Sequence, residues 1–167
     1  IPDGSLVVGF CGGYPEQRGA RQVAAIPRLD PGVFGLIVGD VEERARLELS
    51  GPNVLCVGKV PYEDVPRLVG LFDVGVAFDA EGRVEVVGNS NQKIRQYLAV
   101  GAYVITSNSD IDFSDKPWLG ASPDSASVEK LREALRQSRK YIAETSARSA
   151  FARNNLDVRQ IFAGRHR

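Results

Sequence analysis

Short apolar runs rich in β-branched residues recur along the chain, and segments with helical spacing of apolar residues separate them. The runs lie at 5–11, 33–38, 54–57, 74–78 and 102–107, and the helical segments at 20–29, 41–50, 61–71 and 93–101. Fully apolar runs are typical of strands buried on both faces of a parallel sheet. Their alternation with helices over short loops predicts an α/β fold, a doubly wound, Rossmann-like parallel sheet in a three-layer α/β/α arrangement.

The chain beyond Ser107 has a weaker pattern. A short sixth strand is predicted at 118–121, and a helix over 126–138 is predicted by the spacing of Val128, Leu131 and Leu135. A second long helix, or a pair broken at 154–157, is predicted over 139–162. With 167 residues, 43% of them hydrophobic and 25% charged, these elements fit one domain spanning 1–167.

The chain carries no net charge, since 21 Lys and Arg residues balance 21 Asp and Glu residues. It therefore lacks the basic field that holds a nucleic-acid backbone, and we expect no nucleic-acid partner. Its apolar runs are too short to span a membrane, and no charged-then-apolar leader begins the sequence. These features predict a cytoplasmic location.

Metal-ligating and nucleophilic residues are sparse. Cys11 and Cys56 lie inside apolar runs, where a free thiol packs as a small hydrophobe, and His166 stands among arginines at the end of the chain. Asp110 and Asp112 could hold a divalent cation through oxygen ligands, but polar loops commonly contain such pairs. We therefore expect no metal and no cofactor, and no catalytic residue is assigned.

The clearest candidate site is a polar run that leads into the helix at 93–101. Capping oxygens, unpaired backbone N–H groups, the helix dipole and the Lys93 charge together favour an anion, although an ordinary capped helix has the same pattern. Glu85, in the preceding loop, either contacts ligand hydroxyls or belongs to a solvated loop. The candidate anion-binding residues are Asn89, Ser90, Asn91, Gln92 and Lys93.

The loop after the first strand carries neither of the common nucleotide-binding motifs. Gly9, Gly12 and Gly13 lack the spacing of the dinucleotide fingerprint. Arg18-Gly19 is not a P-loop lysine followed by Ser or Thr. The sequence thus supports neither NAD binding nor ATP hydrolysis.

An ordered set of segments resembles the C-terminal, donor-binding domain of retaining glycosyltransferases with the GT-B fold, of the glycosyl transferases group 1 kind. The segments are 8–13, 18–19, 36–40, 53–60 and 93–104, and the tail 155–159 is similar to the closing helix of that domain. The resemblance implies a hexosyltransferase-like enzyme whose donor is a nucleotide-diphospho-sugar. It also implies that no metal takes part.

The resemblance further implies roles for particular residues. In that family an arginine and then a lysine-glycine pair hold the donor diphosphate after the first strand. Arg18 matches the lysine, whereas Gly13 stands where the arginine would be. Catalysis would then come from stabilising the leaving diphosphate, shared among Arg18, Lys93 and the helix end.

Donor recognition differs from the family pattern at two more positions. Gln96 matches a glutamate that binds ribose hydroxyls, and the position of a second glutamate falls on Gly88, with Glu85 nearby. Val60 lies in the segment that matches the base-binding loop. These departures leave the donor and the activity open.

Three functions are therefore compatible with the sequence. The first is the donor-binding half of a glycosyltransferase that acts on an unknown acceptor. The others are an inactive Rossmann-like binding or assembly module and a domain like a sugar-nucleotide epimerase. A start at Ile1 and the absence of methionine indicate a piece of a longer protein, so we expect activity only with an N-terminal acceptor domain. Peripheral membrane association of the full-length protein is left open.

Overall fold

The architecture is that of a computed structural model, which describes residues 1–13, 18–78, 92–106, 119–121 and 128–145. Its strands are β1 Leu6–Cys11, β2 Val33–Val38, β3 Val54–Gly58, β4 Val74–Ala77, β5 Tyr103–Thr106 and β6 Leu119–Ala121. Its helices are α1 Ala20–Leu29, α2 Glu43–Leu49, a 3₁₀ turn at Tyr62–Asp64, α3 Val65–Val69, α4 Gln92–Ala99 and α5 Val128–Thr145.

The six strands form one parallel sheet in the order β3-β2-β1-β4-β5-β6. The chain winds outward from β1 in one direction through β2 and β3, and then in the other through β4, β5 and β6. The strand order therefore reverses between β1 and β4, as in a doubly wound α/β fold. This confirms the fold class that the sequence predicts.

Helices cover both faces of the sheet, because strand side chains alternate between the two sides. Val8 and Phe10 of β1 pack with buried residues of α1 and α5. Val7 and Cys11 pack on the other side with buried residues of α3 and α4. The described residues thus form the three predicted layers, and the central strand β1 contributes to both cores.

The end of the chain corrects one predicted boundary. The helix predicted over 126–138 continues to Thr145, so the predicted break after Ser138 is wrong. The Ser138 hydroxyl donates a 2.7 Å hydrogen bond to the Leu135 carbonyl within the helix, and Tyr141 and Ile142 extend its apolar face onto the core. The remainder of the helix predicted over 139–162 lies outside the described residues.

Candidate functional site

The point at which the strand order reverses is where open α/β sheets bind ligands, outside the carboxyl ends of the strands. β1 and β4 pair only through Val8–Val74 and Gly9–Gly75, although both strands continue beyond these residues. α1 follows β1 on one face of the sheet, and α4 follows β4 on the opposite face. We call the space between these two strand ends the crevice.

Glycine backbone forms the floor of the crevice beside β1. The Gly12 N–H donates a 3.0 Å hydrogen bond to the Val38 carbonyl, so the loop after β1 stays against β2. Gly39 has a φ of 152°, and a Cβ there would lie 2.2 Å from the Gly12 carbonyl oxygen. Only glycine fits at position 39, because any Cβ there would collide with the Gly12 carbonyl oxygen. At Gly13 a Cβ would meet no atom of the described residues within 4 Å.

Lys93 reaches the crevice from the first turn of α4. It is 8% exposed, and a Cβ built on Gly12 would lie 3.3 Å from its Cδ. Its Nζ lies 4.7 Å from the centroid of the Phe10 ring, which belongs to the core on the α1 side. The side chain therefore crosses the end of β1 from the α4 side, and its ammonium makes a cation–π contact there.

The turn at Arg18 and Gly19 lies against the same ring from the α1 side. The Arg18 carbonyl accepts a 3.2 Å hydrogen bond from the Phe78 N–H, just beyond the carboxyl end of β4. A Cβ on Gly19 would lie 2.9 Å from Val76 Cγ1 and 3.4 Å from the Phe10 ring. The structure thus brings Lys93 and the turn that carries Arg18, two candidates 75 positions apart, close to the same Phe10 ring.

Tyr97 is a site residue that the sequence showed only as an apolar helix position. It is fully buried one turn after Lys93. Its hydroxyl accepts a 2.8 Å hydrogen bond from the Cys11 N–H and donates one of 3.3 Å to the Cys11 carbonyl. The pairing between β1 and β4 has ended before Cys11, so the phenol satisfies backbone groups that a strand would otherwise bond. A buried tyrosine commonly needs such a partner, which is the one signal the sequence offered.

The other candidates lie elsewhere or outside the described residues. Gln92 is exposed at the start of α4, and Gln96 is partly buried on the same helix. Val60 packs against the core on the α3 and α4 side, after β3, which lies two strands from β1. The structure does not describe Glu85, Asn89, Ser90, Asn91, Asp110 or Asp112.

Burial governs the titration of the thiol below the crevice. It raises the pKa of Cys11 from 9.0 to about 11, while the Lys93 charge nearby lowers that pKa in part. Burial also raises the pKa of Cys56, with Arg46 opposing the rise. Both cysteines therefore remain thiols at neutral pH. Cys11 lies in the core as predicted, whereas Cys56 is only partly buried and packs against the core.

Alkaline pH is expected to destabilise the fold through Cys11. Below about pH 9 the thiol is protonated in both states, but between about pH 9 and pH 11 it ionises only in the unfolded chain. The free energy of unfolding should fall by about 2–3 kcal/mol over that interval, given 1.36 kcal/mol per pKa unit. Urea unfolding at a series of pH values measures this loss. Cys11→Ala should remove this contribution, while the raised pKa values of Cys56, Tyr97 and Tyr103 leave a loss of their own in both proteins. A loss in the variant equal to that of the native chain would contradict the assignment.

The described residues contain neither a candidate membrane span nor a cluster of metal ligands. None of the helices described here is long and apolar enough to cross a bilayer. Within the same part of the chain, no three His, Cys, Asp or Glu side chains are grouped as metal ligands would be.

Comparisons with known proteins show which solved structures have a similar fold. Neither protein-family models nor curated protein sequences match the chain. Among solved structures it is similar to HepE of Anabaena in complex with UDP and glucose, with a TM-score of 0.60 and 16% identity over 95% of this chain. HepE in complex with UDP-glucose has a TM-score of 0.58 and 18% identity over 94% of the chain. The chain spans 46% of HepE in both cases. The likeness supports a Rossmann-like domain such as forms the C-terminal half of a GT-B fold.

Proposed function

We propose that this chain binds the nucleotide-diphospho-sugar donor of a glycosyltransferase and that the donor diphosphate lies in the crevice. The observation that carries the proposal is the position of Lys93, which is held across Gly12 at the reversal of strand order. Its positive charge lies at the edge where sheets of this kind bind ligands, and this favours an anionic ligand. HepE, which has a similar fold, was crystallised with UDP and with UDP-glucose, and this supports a donor of the same chemical class.

The chemistry follows from the charges around the crevice. A diphosphate gains negative charge as it leaves the sugar, and groups held in place before the reaction stabilise that charge best. Lys93 and the N-terminal N–H groups of α4 approach from one face of the sheet. The turn that carries Arg18 lies on the other face, since it leads into α1. In the proposed mechanism these groups share the diphosphate charge without a metal ion.

A calorimetric binding screen tests the proposal. UDP, GDP and ADP are titrated separately into the chain, with the corresponding monophosphates for comparison. At least one diphosphate should bind, its monophosphate should bind more weakly, and a chelator should not change the affinity. If none of the three binds, the proposed function is wrong. If a chelator abolishes binding and magnesium or manganese restores it, the metal-free mechanism is wrong.

Transfer of sugar is expected to need more than these 167 residues. Glycosyl transfer requires an acceptor held against the sugar carbon with water excluded, and two-domain closure is a common way to achieve this. The described residues form one sheet, and the chain spans less than half of HepE. We expect the chain with donor and a range of acceptors to form no product by mass spectrometry. Turnover at about 1–1000 per second, as enzymes typically show, would contradict this expectation.

The second candidate is a binding module without transferase activity. It is favoured by Gly13, which leaves open space where the family resemblance places an arginine, and by Gln96, which is neutral where the resemblance places a glutamate. The full-length protein distinguishes the two, because only a transferase would consume the donor. An epimerised nucleotide sugar as product would instead favour the epimerase-like alternative.

A further inference from the structure

Tyr97 connects α4 to the last residue of β1. Its two hydrogen bonds go to the N–H and the carbonyl of Cys11, 86 residues away in sequence. These backbone groups lie on the β4 side of β1, where strand pairing has ended at Gly9 and Gly75. The phenol hydroxyl is therefore a fixed point between the helix and the central strand, at the base of the crevice.

The ring of Tyr97 has little freedom to move. A Cβ on Gly75 would lie 2.2 Å from it, and its centroid is 5.6 Å from that of Phe72. The Phe72 ring in turn lies over Gly9, where a Cβ would also come within 2.2 Å. Because Gly9 and Gly75 are neighbours across β1 and β4, two adjacent glycines receive the two rings. The position of Tyr97 against the sheet is thus determined by packing as well as by hydrogen bonds.

Lys93 depends on this arrangement through helix geometry. Residues four apart lie one above the other on a helix face, so Lys93 projects toward β1 one turn before Tyr97. Tyr97 bonds Cys11, and the Lys93 side chain lies beside the next residue in the chain, Gly12. We infer that Tyr97 is a positioning residue, whose hydroxyl sets the depth and rotation of α4 and so holds the Lys93 ammonium in the crevice. The inference rests on the proposed function for its ligand, and it adds a residue that does not touch that ligand.

The placement of Lys93 can be tested without any ligand. Methylene protons next to an ammonium over the Phe10 ring should be shifted upfield in NMR spectra of the chain labelled with ¹³C-lysine. The Lys93→Ala variant identifies the Lys93 signal, because that signal is missing from its spectrum. The Phe10→Leu variant gives the chemical shift of the same protons when no aromatic ring lies beside them. Tyr97→Phe should move the signal toward the Phe10→Leu position, while 4-aminophenylalanine at position 97, which keeps a donor and an acceptor, should restore it. An unchanged signal in Tyr97→Phe would overturn the inference.

Circular dichroism checks that each variant folds. Should Tyr97→Phe fail to fold, 4-fluorophenylalanine at position 97 takes its place, because it keeps an atom of similar size at the hydroxyl position but cannot donate to the Cys11 carbonyl. The Lys93 signal should again move toward the Phe10→Leu position. A folded 4-fluorophenylalanine variant with the wild-type signal would overturn the inference in that case.

A double-mutant cycle with UDP then tests whether Tyr97 acts through Lys93. Tyr97→Phe should lower UDP affinity about fivefold in the native chain, as for loss of a neutral hydrogen bond. In the Lys93→Ala background the same change should have no effect on affinity. Equal losses in both backgrounds would show a general structural role and overturn the inference. If UDP, GDP and ADP all fail to bind the native chain, the proposed function fails, and the NMR comparison alone judges the positioning role.

Discussion

Lys93→Ala is expected to weaken the binding of a nucleoside diphosphate about 5- to 150-fold. The change removes the ammonium held beside Gly12 and the Phe10 ring, at the proposed place of the diphosphate. Loss of a hydrogen bond to a charged group costs about 1–3 kcal/mol, and each 1.4 kcal/mol is tenfold in affinity. Isothermal titration of the variant with the diphosphate that binds the native chain measures the effect.

Lys140→Ala is the matched control, because Lys140 is an exposed lysine on α5. It should bind the diphosphate as the native chain does. Arg95→Ala removes a positive charge from α4 itself, on its exposed side, and should have a smaller effect than Lys93→Ala. Wild-type affinity in the folded Lys93→Ala variant would place the diphosphate elsewhere and contradict the proposed site.

Gly39→Ala is expected to lower the free energy of unfolding by about 3–5 kcal/mol. The new Cβ would lie 2.2 Å from the Gly12 carbonyl oxygen. The backbone φ of 152° is also one that residues other than glycine rarely adopt. Backbone strain and overpacking each cost about 1–3 kcal/mol, and a backbone atom cannot move aside as a side chain can. Urea unfolding measures the loss.

Gly51→Ala serves as its control, because a Cβ there would meet no atom within 4 Å in the part of the chain that the structure describes. That variant should unfold within about 0.5 kcal/mol of the native chain, as is usual for surface substitutions. If Gly39→Ala were as stable as Gly51→Ala, the close approach of the loops after β1 and β2 would be refuted. The floor of the crevice would then need a different description.

The fold class could be predicted from local pattern alone. β-branched runs without polar positions are favourable only where both faces of a strand are buried, and the spacing between them leaves room for one crossover helix each. The bounds predicted for α1 and β2 agree with those in the structure, Ala20–Leu29 and Val33–Val38. The end of α5 could not be predicted, because the helix beyond Ser138 is supported by the packing of Tyr141 and Ile142 against the core, which is a tertiary contact.

The candidate site was predictable only in part. Lys93 stood out because it opens a helix after a polar run, which is a local feature of the sequence. Tyr97 did not stand out, because its role depends on its hydrogen bonds to Cys11. The two residues come together only after β1 and β4 have paired. Gly9 and Gly75 likewise show no link in sequence, since their register comes from the sheet.

The amino-acid sequence by itself thus determined the order and type of most elements and one charged residue of the crevice. It did so because strand burial, helix periodicity and helix starts depend on neighbouring residues. Only the folded sheet places the Lys93 ammonium over Phe10, the Arg18 turn at the end of β4 and the Tyr97 hydroxyl on Cys11. Those contacts join residues far apart in the chain, and they form because the strand order reverses between β1 and β4.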